Sequence, residues 1–298
     1  RAADPSVLRD ELTRFPDYKA VLLTHNETST GVMNPIADLA AAIREASPDS
    51  LILVDSVSGL GAVPFEMDAW DVDVVVTGSQ KAWMAAPGLA MIALSERGWA
   101  ATETAKMPRF YLDLRSHRES AGLGQTPFTP AIAVVYQVDE GLRLMQAEGK
   151  DAIFARHEAC AAASRAGLAA LGFELFADER VASKTVTAAR LPDGHDWKPF
   201  NAAIKSHGVV LAGGQGKLTG KIFRLGHLGS VTVDEILGAI AVLERVSVEQ
   251  GRRIEPGKAV AAAQAAALAI QTGGASLPGA GPGVATRTPA EPAAAVPA

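Results

Sequence analysis

The stretch that decides the fold is Val72–Ala85, whose sequence is VDVVVTGSQKAWMA. Its β-branched residues predict a buried strand over Val72–Thr77, because a short apolar run closed by Gly78 is typical of one. Lys81 follows just after this strand. A lysine there is usually a solvated loop residue, but an amine in this position can also form a Schiff base with a carbonyl cofactor. The motifs around it have to decide between the two interpretations.

The flanking sequence predicts an α/β domain. Short apolar runs at Lys19–Thr24, Ser50–Val54 and Gly88–Leu94 indicate three further strands. Helical spacing of apolar residues indicates a helix over Pro35–Ala46, with Asn34 as its N-cap. Near-continuous apolar strands in this order favour a mostly parallel sheet that is covered on both faces. In such sheets the ligand crevice lies outside the carboxyl ends of the strands.

Three polar residues follow predicted strand ends and could converge at that crevice. Thr28 lies after the first strand, Asp55 closes the second, and Lys81 follows the third. Pyridoxal phosphate (PLP) requires an amine that holds it, a carboxylate that keeps its pyridine nitrogen protonated, and a phosphate cup. An Asp and a Lys at neighbouring strand ends fit the first two requirements, although the pair alone is only moderately specific.

Composition excludes several other classes of function. The net charge is −5 and no basic stripe interleaves with aromatic residues, so we expect no nucleic-acid partner. No apolar run reaches the roughly 18 residues that span a membrane, so we expect no membrane association. Cys160 is the single cysteine, which leaves no disulfide framework and no metal motif. A cytoplasmic protein is the simplest interpretation.

Three ordered motifs carry a family resemblance. The segments HNETSTG (25–31), VDSVSGLGA (54–62) and GSQKAW (78–83) together resemble the class V, fold-type I PLP-dependent aminotransferases. The resemblance is strongest to the alanine–glyoxylate, serine–pyruvate and serine–glyoxylate group, a family that includes proteins named soluble hydrogenase small subunit. It implies transfer of an amino group between a small amino acid (Ala or Ser) and a 2-oxo acid (glyoxylate or pyruvate).

The resemblance also implies a role for each matching residue at the cofactor. Lys81 would form the Schiff base with PLP and, once released by substrate, would move the substrate α-proton. Asp55 would pair with the pyridine nitrogen, and Val57 would pack on one face of the ring. Thr28 would hydrogen-bond the ring hydroxyl, and Gln80 would contact oxygen groups of the cofactor.

Two further matches concern the partner subunit and the substrate. Thr129, in TPFTPA (126–131), matches a position that reaches the phosphate bound by a neighbouring subunit, which implies a homodimer with shared sites. Arg224, in FRLGHLG (223–229), matches the arginine that binds the substrate α-carboxylate. A guanidinium suits that role because it forms a planar bidentate pair with a carboxylate.

The expected organisation has four parts. Residues 1–130 form a partial large PLP-binding domain, residues 131–150 a linking helix and residues 151–256 a smaller α+β C-terminal domain. Residues 257–298 form an Ala/Pro/Gly-rich tail that we expect to be disordered, apart from a possible short helix at AVAAAQAAALAIQ (259–271). Strands are predicted at Phe173–Phe176 and on both sides of GGQGKLTGK (213–221), and a helix with a capping box is predicted from Thr232.

The family's phosphate loop and its ring-stacking aromatic residue lie upstream of the matched motifs. We therefore expect the chain to be N-terminally truncated. This leaves open the alternative of a non-catalytic fragment or partner subunit that retains the fold without a full cofactor site.

Other candidate sites are weaker. GGQGKLTGK (213–221) fits no phosphate-loop pattern and is better explained as a hairpin turn. Desulfuration, a rival PLP chemistry, needs a reactive cysteine on a loop, whereas Cys160 lies in a predicted helix; related desulfurases also carry His where this chain has Gln80. His25 and His227 lie within site motifs, either as pocket residues or as packing residues.

Overall fold

The N-terminal half of the chain builds a four-stranded sheet with helices. The structure is a computed structural model that describes residues 1–192 and 196–273. In chain order the elements of this half are α1 (Pro5–Arg14), β1 (Ala20–Thr24), β2 (Asn26–Glu27), β3 (Val32–Met33), α2 (Ile36–Ala46), β4 (Leu51–Asp55), β5 (Val74–Gly78), β6 (Ala90–Leu94), α3 (Glu96–Thr104) and α4 (Leu114–Gly122).

The strand order in this sheet is β1-β4-β5-β6. Strands β1, β4 and β5 run parallel, whereas β6 is antiparallel to β5. The sheet is therefore mostly parallel, as predicted. The register places Thr24 beside Asp55 and Asp55 beside Val76, so the carboxyl ends of three strands share one edge.

Helices cover one face of this sheet. Leu12 of α1 and Ile43 of α2 pack in one buried cluster with Ile52 and Val54 of β4. On the opposite face Leu22 is 76% exposed, and Ile92 is also exposed. Among the described residues the second face is therefore only partly covered: α1 and α2 pack on the same side, while Gly98 of α3 lies close to Val74 on the opposite face.

The start of α2 also differs from the prediction. Asn34 does not cap the helix, whose N-cap is Pro35 without a side-chain hydrogen bond. Instead, the Asn34 amide donates to the carbonyl oxygen of Thr24 (2.7 Å) and accepts from the Ala3 amide (2.8 Å). Asn34 therefore ties the end of β1 to the segment before α1, a long-range role that its position before a proline does not indicate.

The C-terminal half forms an antiparallel sheet surrounded by helices. Its elements are α5 (Ile132–Glu148), α6 (Lys150–Ala170), β7 (Val186–Arg190), α7 (Trp197–Ser206), β8 (Ala212–Gly213), β9 (Ile222–Gly226), α8 (Val233–Glu249) and α9 (Lys258–Gly273). The strand order is β7-β9-β8, and the antiparallel pairing of β8 with β9 confirms the hairpin at GGQGKLTGK. Thr232 and Glu235 form the predicted capping box at the start of α8.

Two predictions in this half need correction. The segment Phe173–Phe176 is not a strand; it runs beside β7 and makes only an isolated bridge, between Leu175 and Ala189. The possible helix at 259–271 is confirmed as α9, so the predicted disordered tail does not begin at residue 257; buried Ala259, Ala263 and Ala267 of α9 pack in the same core as α6 and α8. The predicted disorder of residues 274–298 concerns residues outside those that the structure describes. No helix in the described ranges is both long and apolar enough to cross a membrane.

Candidate active site

The common edge of β1, β4 and β5 carries the proposed cofactor residues. Asp55 is the last residue of β4, and its side chain is exposed. The Val57 amide donates to Asp55 Oδ1 (2.9 Å), so the carboxylate is fixed by the backbone two residues on. Its second oxygen makes no hydrogen bond within the described chain. The second oxygen of this carboxylate can therefore accept a hydrogen bond from a ligand.

Lys81 lies in the tight turn that follows β5. Buried Ser79 organises this turn, because its hydroxyl donates to the Ala86 carbonyl oxygen (2.7 Å) and accepts from the Leu89 amide (3.2 Å). The Lys81 amide bonds to the carbonyl oxygen of Gly78 (3.4 Å). The Lys81 amine has no ion pair or hydrogen bond within residues 1–192 and 196–273. The turn thus holds the backbone in place and leaves the amine available.

The residues beside Lys81 support the turn. The Trp83 indole N–H donates to Thr77 Oγ1 (3.0 Å), which makes Trp83 a packing residue rather than a stacking platform. Gln80 is exposed and folds back over Gly78, where an added Cβ would lie 2.9 Å from Gln80 Oε1. Val57 is half-buried, and its carbonyl oxygen accepts from Thr77 Oγ1 (3.5 Å). These contacts connect the Val57 segment to the lysine turn.

Thr28 lies in the turn between β2 and β3, next to the end of β1. Its hydroxyl lies 2.6 Å from Ser58 Oγ, in the loop that follows Asp55. Its carbonyl oxygen accepts from Arg224 Nη1 (3.1 Å), although the two residues are 196 positions apart. Thr28 therefore connects the loop after β4 with strand β9.

Arg224 is a buried arginine that is hydrogen-bonded to Thr28 beside this edge. It is 8% exposed, and its Nε donates to the Gly213 carbonyl oxygen (3.0 Å). No carboxylate pairs with it in the described part of the chain. Two backbone carbonyls thus hold the guanidinium, while Nη2 stays without a hydrogen bond there. This is a fitting arrangement for an arginine that receives an external carboxylate.

The structure does not bring Thr129 to the other predicted residues within one chain. Thr129 is exposed in the loop between α4 and α5, where residues Gly124–Pro130 line a groove of their own. The other six predicted residues belong to segments at or beside the sheet edge: Thr28, Asp55, Val57, Gln80, Lys81 and Arg224.

Sequence inspection missed a buried polar layer behind this edge. His25 Nδ1 bonds to Ser56 Oγ (2.8 Å), and the Asn26 amide donates to Ser58 Oγ (2.8 Å). Burial lowers the pKa of His25 to about 4, so the imidazole is neutral near pH 7. The alternating serines after Asp55 were the available signal, since small hydroxyl residues at a strand end can satisfy buried polar groups.

The remaining titratable candidates are packing residues. His227 is fully buried between Thr187 Oγ1 (2.9 Å) and the Lys184 carbonyl oxygen (3.1 Å), and burial lowers its pKa to about 3. Burial raises the pKa of the Cys160 thiol to about 11, which opposes the thiolate that desulfuration needs. In the described ranges no three His, Cys, Asp or Glu side chains are grouped so that they could hold a metal ion.

Comparison with known proteins identifies the family of the chain. The model of the family described as Aminotransferase class-V matches residues 2–224. The "Soluble hydrogenase, small subunit" of Synechococcus sp. is 44% identical over 247 residues, which are 82% of this chain and 64% of the relative. The L-aspartate–glyoxylate aminotransferase of Paracoccus denitrificans is 38% identical, over 83% of this chain and 63% of its own length. The chain therefore spans less than two thirds of the length of these curated relatives.

A solved structure supports the same assignment. The crystal structure of pyridoxamine–pyruvate aminotransferase from Mesorhizobium loti matches with a TM-score of 0.83 and 33% identity, covering 90% of this chain and 69% of that one. The similarity confirms the predicted PLP-dependent transferase fold of type I, with its mostly parallel sheet and a smaller α+β part. By the extent of the family match and by its identity to these relatives, the chain belongs to the class-V aminotransferase family.

Proposed function

We propose that the protein catalyses PLP-dependent transamination between a small amino acid and a 2-oxo acid. The observation that carries this proposal is the common strand edge, where one oxygen of the Asp55 carboxylate and the Lys81 amine have no hydrogen-bond partner among the described residues. Family membership implies PLP as the cofactor. Bound PLP supplies an electron sink that stabilises negative charge at the substrate α-carbon.

The residues at the edge fit the chemical groups of PLP. Lys81 would hold its carbonyl carbon, and Asp55 would accept a hydrogen bond from its protonated pyridine nitrogen with the oxygen that Val57 leaves free. The aliphatic Val57 side chain would pack on a ring face, and the Thr28 hydroxyl would reach the ring oxygen. Gln80, folded over Gly78, would contact further oxygen atoms of the cofactor.

Lys81 and Arg224 would act on the substrate. Arg224 would bind the α-carboxylate through the guanidinium nitrogen that the backbone of Gly213 and Thr28 leaves free, which orients the α-carbon. A lysine amine beside a cationic ring is a suitable base. Lys81 would therefore take the proton from the substrate α-carbon and deliver it to the carbon that was the cofactor carbonyl.

The oxo-acid acceptor is the better supported half of the reaction. The names of the relatives include glyoxylate and pyruvate as acceptors. Their amino donors differ, since one name specifies aspartate and the other pyridoxamine. We propose alanine or serine as the donor from the motif resemblance. A panel of donors against glyoxylate and pyruvate, ranked by kcat/KM, tests this choice.

We also propose a homodimer in which Thr129 contacts the phosphate bound by the partner subunit. The support is its exposed loop and the apolar side chains exposed nearby, among them Phe110 and Tyr136. Analytical ultracentrifugation tests the dimer. A Thr129→Ala variant should weaken PLP binding while the protein stays dimeric. A single buried, unpaired cysteine, Cys160, supports a cytoplasmic location.

The domain division remains part of the proposal. A large domain would end near residue 130, a linking helix would follow to residue 150, and the smaller domain, predicted over residues 151–256, would also include α9, which packs in its core. Support comes from two separate buried clusters, one that ends at Val75 and one that begins at Ala159. Limited proteolysis followed by mass spectrometry of the fragments tests these boundaries.

Borohydride labelling tests the central assignment. With PLP added, we expect a visible absorbance band that borohydride bleaches, with the label on the peptide that contains Lys81. Lys81→Ala should abolish the band, whereas Lys150→Ala, which removes an exposed lysine paired with Glu66, should keep it. A label on another peptide would refute the site. A wild-type protein without any band would favour the alternative of a non-catalytic fragment or partner subunit.

A further inference from the structure

A chain of hydrogen bonds runs from Asn26 through Ser58 to Thr28. The Asn26 amide nitrogen donates to Ser58 Oγ over 2.8 Å, and Ser58 Oγ lies 2.6 Å from Thr28 Oγ1. Asn26 and Ser58 are both buried, whereas Thr28 is only partly buried and lies at the mouth of the chain. Buried hydrogen bonds are costly to leave unmade, so these contacts restrict the orientation of the Ser58 and Thr28 hydroxyls.

The Ser58 hydroxyl can turn between two acceptors. Asn26 Nδ2 donates to Ser58 Oγ and to Thr185 Oγ1 (3.0 Å), and lies 3.5 Å from the Ser58 carbonyl oxygen. Ser58 has a single proton to give, and its hydroxyl reaches both the Asn26 carbonyl oxygen at 3.1 Å and Thr28 Oγ1 at 2.6 Å. Either hydroxyl can be the donor in the 2.6 Å contact. When a ligand oxygen accepts the Thr28 proton, Ser58 can therefore donate to Thr28 Oγ1, so that contact is kept.

We propose that Asn26 and Ser58 are positioning residues that hold the Thr28 hydroxyl as a hydrogen-bond donor toward an oxygen atom of the ligand. The ligand atom that this fits is an anionic or carbonyl oxygen, because Ser58 can supply the proton of the Ser58–Thr28 contact once the Thr28 proton is directed to the ligand. The inference rests on the proposed function, in which this atom is the ring oxygen of PLP. Thr185 contributes from the segment before β7, because it takes the second proton of Asn26 and so fixes the orientation of the amide.

The experiment compares two buried serines in the same loop. Ser58→Ala breaks the chain, whereas Ser56→Ala removes a buried hydroxyl that bonds to His25 instead. PLP affinity is measured by titration of the visible band, and folding is checked by circular dichroism. We expect Ser58→Ala to weaken PLP binding about 3- to 10-fold, the effect of one hydrogen bond, and Ser56→Ala to change it less than about 2-fold. The pH midpoint of the visible band should rise in Ser58→Ala, because the Thr28 hydroxyl is no longer held as a donor to the ring oxygen.

A double-mutant cycle separates positioning from general loosening of the loop. Thr28→Val removes the terminal hydroxyl at nearly constant volume, and Thr28→Ser should retain wild-type binding. In the Thr28→Val background, Ser58→Ala should have no further effect on the affinity for PLP, while the effect of Ser56→Ala should be unchanged. The cycle uses differences between variants, so it also serves if Ser58→Ala lowers stability.

The outcomes distinguish this inference from the function on which it rests. Equal effects of the two serine variants, or additive effects of Ser58→Ala and Thr28→Val, would overturn the positioning role while PLP binding itself stands. A wild-type protein that gives no band with PLP would overturn the proposed function and the positioning role together.

Discussion

Removal of the charge at Asp73 is expected to destabilise the N-terminal sheet strongly. The Asp73 side chain is fully buried, accepts three hydrogen bonds and forms ion pairs with two arginines. Oδ2 accepts from Arg44 Nη2 (2.6 Å) and from the Ile52 amide (2.8 Å). Oδ1 accepts from Ser95 Oγ (2.9 Å) and lies 3.0 Å from Arg97 Nε. In Asp73→Asn, one of the two side-chain atoms becomes an NH₂ group that must face donors in either orientation.

The expected cost follows from the burial. Breaking a buried, hydrogen-bonded charge pair typically costs about 3–5 kcal/mol, because the remaining charges lose their compensation. Asp71 offers a matched control, since it pairs with the same Arg44 and Arg97 but is 55% exposed. Exposed pairs contribute roughly 0–1 kcal/mol. Asp71 also has a positive φ of 50°, which asparagine tolerates, so Asp71→Asn adds no backbone strain.

Urea unfolding measured by circular dichroism and tryptophan fluorescence compares the two variants. With a slope of about 1–3 kcal/mol per molar urea, Asp73→Asn should lower the midpoint by more than about 1 M. Asp71→Asn should lower it by less than half as much. Equal shifts for the two variants would refute the argument that burial, rather than the number of ion pairs, sets the contribution.

Three further predictions concern a proton, a helix end and a close contact. Because burial lowers the pKa of His25 to about 4, the unfolded chain binds a proton on His25 near pH 6.5 and the folded chain only near pH 4. The free energy of unfolding should therefore be highest above pH 6.5 and fall by up to about 3 kcal/mol toward pH 4. His25→Gln should flatten the urea midpoint between pH 4 and pH 6.5. Glu244→Ala removes a carboxylate that accepts two backbone amides at the start of α9 (2.6 and 3.0 Å), so it should destabilise α9 by about 1–3 kcal/mol and raise amide hydrogen exchange there first; unchanged exchange in α9 would contradict this. Gly141→Ala would place a Cβ 2.4 Å from the Trp83 carbonyl oxygen, so it should cost about 1–3 kcal/mol and alter tryptophan fluorescence, whereas Gly122→Ala, where an added Cβ meets nothing within 4 Å, should do neither.

Much of the fold follows from local patterns in the chain. Short apolar runs locate β1, β4, β5 and β6 to within two residues, because a strand buried in a sheet needs apolar side chains. The capping box at Thr232 locates the start of α8 for the same kind of local reason. Helices α3 and α4 were missed, since both are short and polar and neither has a buried apolar stripe.

The candidate site divides in the same way. Asp55 and Lys81 were predictable, because each directly follows a predicted strand and parallel strands bring their carboxyl ends to one edge. The bond between Asn26 and Ser58 was not, since it joins residues 32 positions apart that carry no pattern of their own. The contact from Arg224 to the Thr28 carbonyl oxygen spans 196 positions and depends on how β9 packs against the hairpin of β2 and β3.

The sequence by itself therefore determined the type of fold and the edge at which Lys81 and Asp55 lie, because strand formation and strand direction depend on local patterns. Only the tertiary structure decided which groups orient Thr28 and Arg224, which face of the sheet α1 and α2 cover, and that α9 packs in the same core as α6 and α8. Those outcomes depend on hydrogen bonds and packing between distant segments, such as Ala263 of α9 in the core with α6, and local propensity carries no information about them.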